Sequence, residues 1–232
     1  MEQWTIGMFL LVCLGVGGGS AIGIFYLFQR SVYGIFLLCG ALLIGVVCIE
    51  IIPLAMNERD IESLAVGSMI GLSLFITLHF FLHSFEKANH SVLLIFLAMI
   101  LHTIPFSLTL WAIIHKTEIF TSLTILSGIH HIPEGFAITL ALLSKGEASW
   151  KSLLYYVPFA LLFISFMSLG IFFSITDRVQ SVLIAMTGSL IFFTSLHEFI
   201  LSYWNRLSRK QAYFFLLTGI ILSITFHIIV EK

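Results

Sequence analysis

Long runs of apolar residues alternate with short polar breaks along the whole chain. A helix needs about 20 mostly apolar residues to cross the hydrocarbon core of a bilayer, and eight runs reach that length. The predicted spans cover residues 4–28, 31–55, 62–85, 91–114, 119–143, 152–176, 179–204 and 211–230. No break between them is long enough for a soluble domain, so the pattern predicts a single polytopic membrane domain over residues 1–232.

The composition points to the same class of protein. Of the 232 residues, 59% are hydrophobic and 10% are charged, whereas soluble domains carry about 25% charged residues. The formal net charge of −1 provides no basic surface for nucleic acid. We therefore predict an all-α integral membrane protein that is embedded in the lipid bilayer and has no nucleic-acid partner.

The positions of lysine and arginine predict the orientation, because cytoplasmic loops collect positive charge. Counted from the N-terminus, the odd-numbered loops carry seven of these residues, whereas the even-numbered loops and the C-terminal tail carry four. The odd-numbered loops are therefore predicted to face the cytoplasm. Both termini are then predicted to face outward from a multi-pass protein of the cell membrane.

Ionisable residues lie inside several predicted spans, although each charge there costs about 2.5–3.5 kcal/mol on insertion scales. All of them are histidines or glutamates, and no lysine or arginine lies at that depth to neutralise them. The set consists of Glu50, His79, His102, His130, His131, Glu134, His197, Glu198 and His227. Imidazole and carboxylate together are ligands for zinc and other first-row metals, so the set favours metal binding over an ion-pair network.

The fifth span carries the densest polar motif, "SGIHHIPEGFAITLAL", at residues 127–142. His130 and Glu134 are four residues apart, and His131 and Glu134 are three apart, so both pairs are neighbours on a helix surface. Pro133 cannot donate its backbone hydrogen bond and is expected to kink the helix beside these side chains. One helix thus presents two or three metal ligands toward one point.

The fourth span repeats part of this motif. The segment "HTIPFSLTL", which starts at His102, shares the pattern His-x-Ile-Pro with the segment that starts at His130. In two antiparallel helices the motifs would lie at similar depth. The repeat is incomplete, because Phe106 occupies the position that corresponds to Glu134.

Several other polar or small residues have simpler interpretations. A lone membrane histidine commonly hydrogen-bonds to a neighbouring helix, which is the interpretation we favour for His79 and His227. Glu50 is equally consistent with a structural role and with a place on a transport pathway. The glycine-rich segment "GVGGGSAIG" at residues 15–23 favours close helix packing, with a mobile helix interface as the alternative.

The motif "HHIPEG" resembles the His-Asn-x-Pro-Glu-Gly signature of the ZIP family of zinc and iron transporters. Eight spans, outward termini and paired motifs in the fourth and fifth spans also resemble that family, which implies a ZIP-like bundle. The resemblance implies a metal site formed by His102, His130, His131 and Glu134. It also implies that pathway residues lie at Glu50, Thr103, His197 and Glu198.

Two departures from the family pattern change the expected number of metals. Phe106 replaces the glutamate of the fourth-span motif, and Val157 replaces the glutamate of the sixth-span Glu-Pro pair. The missing carboxylates favour one metal site over the two-metal centre of some relatives.

We expect a secondary transporter that moves a divalent cation into the cytoplasm. Zn²⁺ is the first candidate, with Fe²⁺, Mn²⁺ and Cd²⁺ as alternatives, because histidine ligands do not separate these metals. The metal would be the transported substrate; we expect no prosthetic group and no enzymatic activity, and a homodimer is one assembly that we consider. The alternatives are an intramembrane zinc hydrolase and a ZIP relative that binds metal without transporting it.

Overall fold

The computed structural model describes residues 2–27, 32–56, 61–83, 90–112, 117–173 and 175–230. Every regular element in these ranges is helical, as the long apolar runs predict. The α-helices are α1 (Glu2–Leu27), α2 (Val32–Val46), α3 (Ile52–Met56), α4 (Ile61–His83), α5 (His90–Ala112), α6 (Thr117–Ser144), α7 (Leu153–Leu169), α8 (Asp177–Thr194), α9 (Ser202–Trp204) and α10 (Arg209–Val230).

Two π-helical turns interrupt the α-helical geometry. The first π turn, Val47–Ile51, joins α2 to α3, and the second π turn, Ser195–Leu201, joins α8 to α9. Each connects its neighbours into one continuous rod, so the described helices form eight rods at the positions of the eight predicted spans. The sixth rod begins with a 3₁₀ turn over Ser149–Ser152 and ends with another over Gly170–Phe172, so it starts and stops earlier than the predicted span of residues 152–176.

The helices identify a membrane-embedded protein. Among the described residues, five segments are long and apolar enough to cross a bilayer: Gln3–Leu27, Val32–Ile51, Ile61–Phe81, Ser149–Leu169 and Asp177–Trp204. The apolar part of α5, Ile95–Trp111, is shorter. A total of eight membrane spans therefore stays a prediction.

The rods pack as two groups. Contacts join α1, α6 and α7 as a first bundle and α2, α3, α4, α8 and α10 with both π turns as a second bundle; α5 packs against both and is counted here with the first. The most extensive contacts inside the bundles join α1 to α6, α4 to α8 and α2 to α10. Helix α5 also packs against α8, so it forms much of the interface between the two bundles.

Neighbouring helices in these pairs run in the same direction, as alternate crossing of a membrane requires. Near the start of α4, Glu62 accepts a hydrogen bond from Arg178 of α8, and near its end His79 lies 4.0 Å from Glu198. The predicted orientation itself is not tested by this geometry. The cations Arg30, Arg59, Lys87, Lys116 and Lys232, which contribute to that prediction, lie outside the described residues.

Small residues allow α1 and α6 to approach at backbone distance. A Cβ atom added to Gly17 would lie 2.0 Å from the carbonyl oxygen of Ile132, and one added to Gly135 would lie 2.3 Å from that of Leu14. Contacts this close exclude any larger side chain. At Gly17 the glycine-rich segment therefore serves close packing within one bundle, which is the interpretation favoured from its sequence.

Replacing Gly17 by valine should destabilise the protein, because the added side chain must push α1 away from α6. Overpacking of this kind costs about 1–3 kcal/mol. Gly15 is the matched control, since a Cβ atom there meets nothing within 4 Å. Thermal unfolding in detergent should show a lower midpoint for Gly17→Val and a midpoint near the parent's for Gly15→Val; equal midpoints would contradict the packing interpretation.

Candidate metal centre

The structure brings the four predicted ligands together at one point in the first bundle. His102 comes from α5, and His130, His131 and Glu134 come from α6. All four side chains are buried, with residue exposures between 0% and 4%. One ligand atom from each lies within 4.8 Å of the others, so the group could hold a metal ion once these atoms draw closer together. We call this group the central cluster.

Glu134 holds the central cluster together. The Nδ1 atom of His131 donates a hydrogen bond to Oε2 of Glu134, and Nε2 of His102 lies 3.2 Å from Oε1 of the same carboxylate. The ring centroids of His130 and His131 are 4.0 Å apart. One carboxylate therefore faces imidazoles from both helices.

The hydrogen bonds of His102 determine which ring nitrogen is available. Its Nδ1 atom lies 2.8 Å from the carbonyl oxygen of Ala98 and must donate, because a carbonyl oxygen only accepts. In the neutral ring, Nε2 then carries a lone pair and faces Oε1 of Glu134. Two acceptors at this distance repel each other unless a proton or a cation lies between them.

His131 likewise has one ring nitrogen in a hydrogen bond and the other without one. Its Nδ1 atom is bonded to Glu134, and its buried Nε2 atom has no hydrogen-bond partner among the described residues. Metal-binding histidines typically donate one ring N–H to a carbonyl or carboxylate and keep the other nitrogen for the metal. Leaving a buried polar atom unpaired costs about 1–3 kcal/mol. The chemistry of these donors therefore fits a divalent cation.

A tyrosine of α7 fixes the backbone just beyond Glu134. The phenol of Tyr156 donates a hydrogen bond to the carbonyl oxygen of Gly135 at 2.6 Å, and its oxygen lies 2.5 Å from the hydroxyl of Thr139. Helix α6 continues through Pro133 without a break. The ligands are thus held on a well-packed helix.

Phe106 occupies one side of the central cluster. It is buried, and its ring meets that of His130 edge to face with centroids 5.8 Å apart. An apolar ring at this place provides no ligand for a second ion beside His130. The geometry is consistent with the expectation of a single metal site.

Val157 lies elsewhere. It is 44% exposed on the outer side of α7, and the α7 side chain that contacts the cluster is Phe159, whose ring lies 4.9 Å from that of His131. Val157 therefore does not line the central cluster in this structure. Only the packing of α7 reveals this, because α7 is apolar almost all round.

A second group of potential ligands lies in the second bundle. His79 of α4 and His197 and Glu198 of the second π turn have ligand atoms within 4.8 Å of one another. His197 donates from Nδ1 to Oε1 of Glu198 at 2.6 Å. We call this group the second cluster; its residues are partly buried.

The sequence did not associate His79 with this pair. The feature that connects His79 with this pair is the parallel register of α4 and α8, which places Phe75 beside Phe193 and His79 beside His197. That register depends on helix packing and cannot be obtained from the spacing within either helix.

Glu50 and Thr103, the remaining predicted pathway residues, lie in different places. Glu50, in the first π turn, bonds to Nδ1 of His227 on α10 at 2.5 Å and belongs to neither cluster. This contact agrees with the interpretation of His227 as a histidine bonded to a neighbouring helix. Thr103 is buried beside His102 on α5, and its hydroxyl has no hydrogen-bond partner among the described residues.

A small cavity adjoins the central cluster at the interface between the bundles. His102 and Glu134 form one side of it. Its volume is about 20 Å³, which is enough for roughly one water molecule. A dehydrated cation would fit, whereas an organic substrate would not.

Comparison with protein-family models gives no match for this chain, and comparison with curated proteins gives none either. The chemistry of the site must therefore be argued from its own residues.

Replacing Glu134 by glutamine should weaken zinc binding by roughly 10–100-fold or more, because the central cluster loses its only carboxylate. Glu62→Gln is the matched control, since Glu62 lies at an exposed ion pair with Arg178. Equilibrium dialysis of the purified protein against Zn²⁺ measures both variants. Equal affinities for the two variants would show that zinc does not bind at Glu134.

Proposed function

We propose that this protein is a secondary transporter that carries a divalent transition-metal ion, with Zn²⁺ as the first candidate, across the cell membrane into the cytoplasm. The observation that carries the proposal is the central cluster. Ligand atoms of three histidines and one carboxylate lie within 4.8 Å of one another in a buried position, inside a chain rich in apolar helices long enough to span a membrane. Such a group is costly in a membrane, and a bound cation offsets that cost.

The arrangement of the two bundles supports alternating access. All four ligands belong to the first bundle, while the small cavity beside them lies against the second bundle. Movement of one rigid bundle against the other would carry the ion with its ligands from one side to the other. In the ZIP family, spans one, four, five and six are thought to form the moving part, and α1, α5, α6 and α7 are their counterparts here.

The ZIP resemblance, eight membrane spans and outward termini belong to this proposal. In that orientation α4 and α8 both run toward the cytoplasm, so the second cluster would lie near the cytoplasmic ends of their two rods. Glu50 and His227 lie near the outer ends of theirs. Metal would therefore enter from outside past Glu50, bind at the central cluster and leave toward the cytoplasm past His197 and Glu198.

The alternatives receive less support from the structure. A zinc hydrolase needs room for its substrate beside the metal, and the cavity beside Glu134 admits roughly one water molecule. The sequence "HEFIL" also has Leu201 where a metalloprotease motif requires its second histidine. A ZIP relative that binds metal without transporting it would have the same central cluster and would differ from a transporter only in moving no ions across the membrane.

Uptake of radioactive zinc into vesicles containing the purified protein tests the proposal. Uptake by the parent should exceed that of empty vesicles, and Glu134→Gln should reduce it to the background, because the ion loses its buried negative partner. Glu62→Gln should transport like the parent. Zinc binding by the parent without uptake would identify a non-transporting protein and refute the carrier.

External pH provides a further prediction for the same vesicles. Neutral imidazole binds metal and protonated imidazole does not, so uptake should fall as the medium becomes acidic. Initial rates of zinc uptake over a series of pH values would show this. A rate that increases steadily toward acid pH would contradict binding through the histidines.

A further inference from the structure

Two hydroxyl-bearing residues of the second bundle line the small cavity beside the central cluster. Thr194 ends α8 and Ser195 begins the second π turn. Both residues are buried, with exposures of 8% and 1%, and both line the cavity together with His102 and Glu134. The other residues around the cavity are apolar: Leu43, Ile95, Ala98, Met99, Ile191 and Phe199.

These hydroxyls lack the contacts that their neighbours make. A helix serine or threonine usually bonds to the carbonyl oxygen one turn before it. Thr187 does so with Leu183, and Ser189 of the same helix donates to the carbonyl oxygen of Ser68. Neither Thr194 nor Ser195 makes a side-chain hydrogen bond to any described residue. Because both residues line the cavity, we take their hydroxyls as the candidate ligands there.

Thr194 and Ser195 are also close in sequence to two members of the second cluster, His197 and Glu198. Ser195 is three residues before Glu198 in the same π turn, and Glu198 contacts both His197 and His79. An ion that moved from Glu134 through the cavity toward Glu198 would pass Thr194 and Ser195.

We propose that Thr194 and Ser195 form a transient oxygen site that receives the divalent cation from the central cluster and passes it to His79, His197 and Glu198. This inference rests on the proposed transport function. Transport requires sites that bind the ion well enough to admit it and weakly enough to release it. Neutral hydroxyls meet that requirement between two clusters that contain carboxylates, because they replace water ligands without adding charge.

The first experiment removes both oxygens with little change of shape. The double variant Thr194→Val with Ser195→Ala should take up zinc roughly tenfold more slowly than the parent, with zinc affinity at the central cluster within about twofold of the parent's. Ser189→Ala is the matched control: it is a buried serine of the same helix that lines a different cavity. Its uptake rate should be close to that of the parent.

The second experiment turns the weak site into a strong one. Thiolates are soft ligands that hold zinc and cadmium tightly, so Ser195→Cys should trap the ion and slow zinc uptake. Addition of Cd²⁺ to the purified variant should produce the ultraviolet absorption of a cadmium–thiolate bond. The spectrum is taken as a difference from the parent, which cancels its own Cys13, Cys39 and Cys48. Ser189→Cys should give no such band.

The two experiments separate this inference from the proposed function. Slow uptake by the double variant, together with the cadmium band in Ser195→Cys, would support the oxygen site. Unchanged uptake by the double variant, or absence of the band, would overturn it. If the parent itself takes up no zinc, the proposed function has failed. The cadmium band then decides alone whether a cation reaches Ser195.

Discussion

The carboxylate of Glu134, held between His102 and His131, is the interaction on which the interior of this protein depends. A buried charge in a membrane requires partners; here His131 donates a hydrogen bond to the carboxylate, and Nε2 of His102 lies 3.2 Å from it, where a proton or a cation between them completes the pairing. This contact fixes α5 against α6 at one depth. It also leaves ring nitrogens without hydrogen bonds, so the same interaction creates a place for a cation.

The surrounding helices hold this group rigidly on one side and leave space on the other. Within the first bundle, Gly17 and Gly135 bring α1 and α6 to backbone contact, and Tyr156 anchors the turn after Glu134. Toward the second bundle the cluster borders a small cavity that Thr194 and Ser195 also line. A rigid ligand set beside an open interface is the arrangement that movement between bundles would use.

Much of the fold and of the central cluster could be predicted from the sequence. Apolar runs of sufficient length can only be helices in a membrane, so the positions of the eight rods followed from hydrophobicity. The spacing of His130, His131 and Glu134 placed them on one face, because helical periodicity is fixed by backbone geometry. The repeated His-x-Ile-Pro pattern indicated where His102 would meet them.

What the sequence determined, then, was everything that depends on periodicity within one helix: the rods, the polar motif and the exclusion of a second carboxylate by Phe106. Only the tertiary structure decided which faces meet. It brought His79 to His197, paired Glu50 with His227, turned Val157 outward and placed Thr194 and Ser195 opposite Glu134. The physical reason is that helices which are apolar almost all round carry no marked face, so their rotation and register are determined by packing of small residues against neighbours.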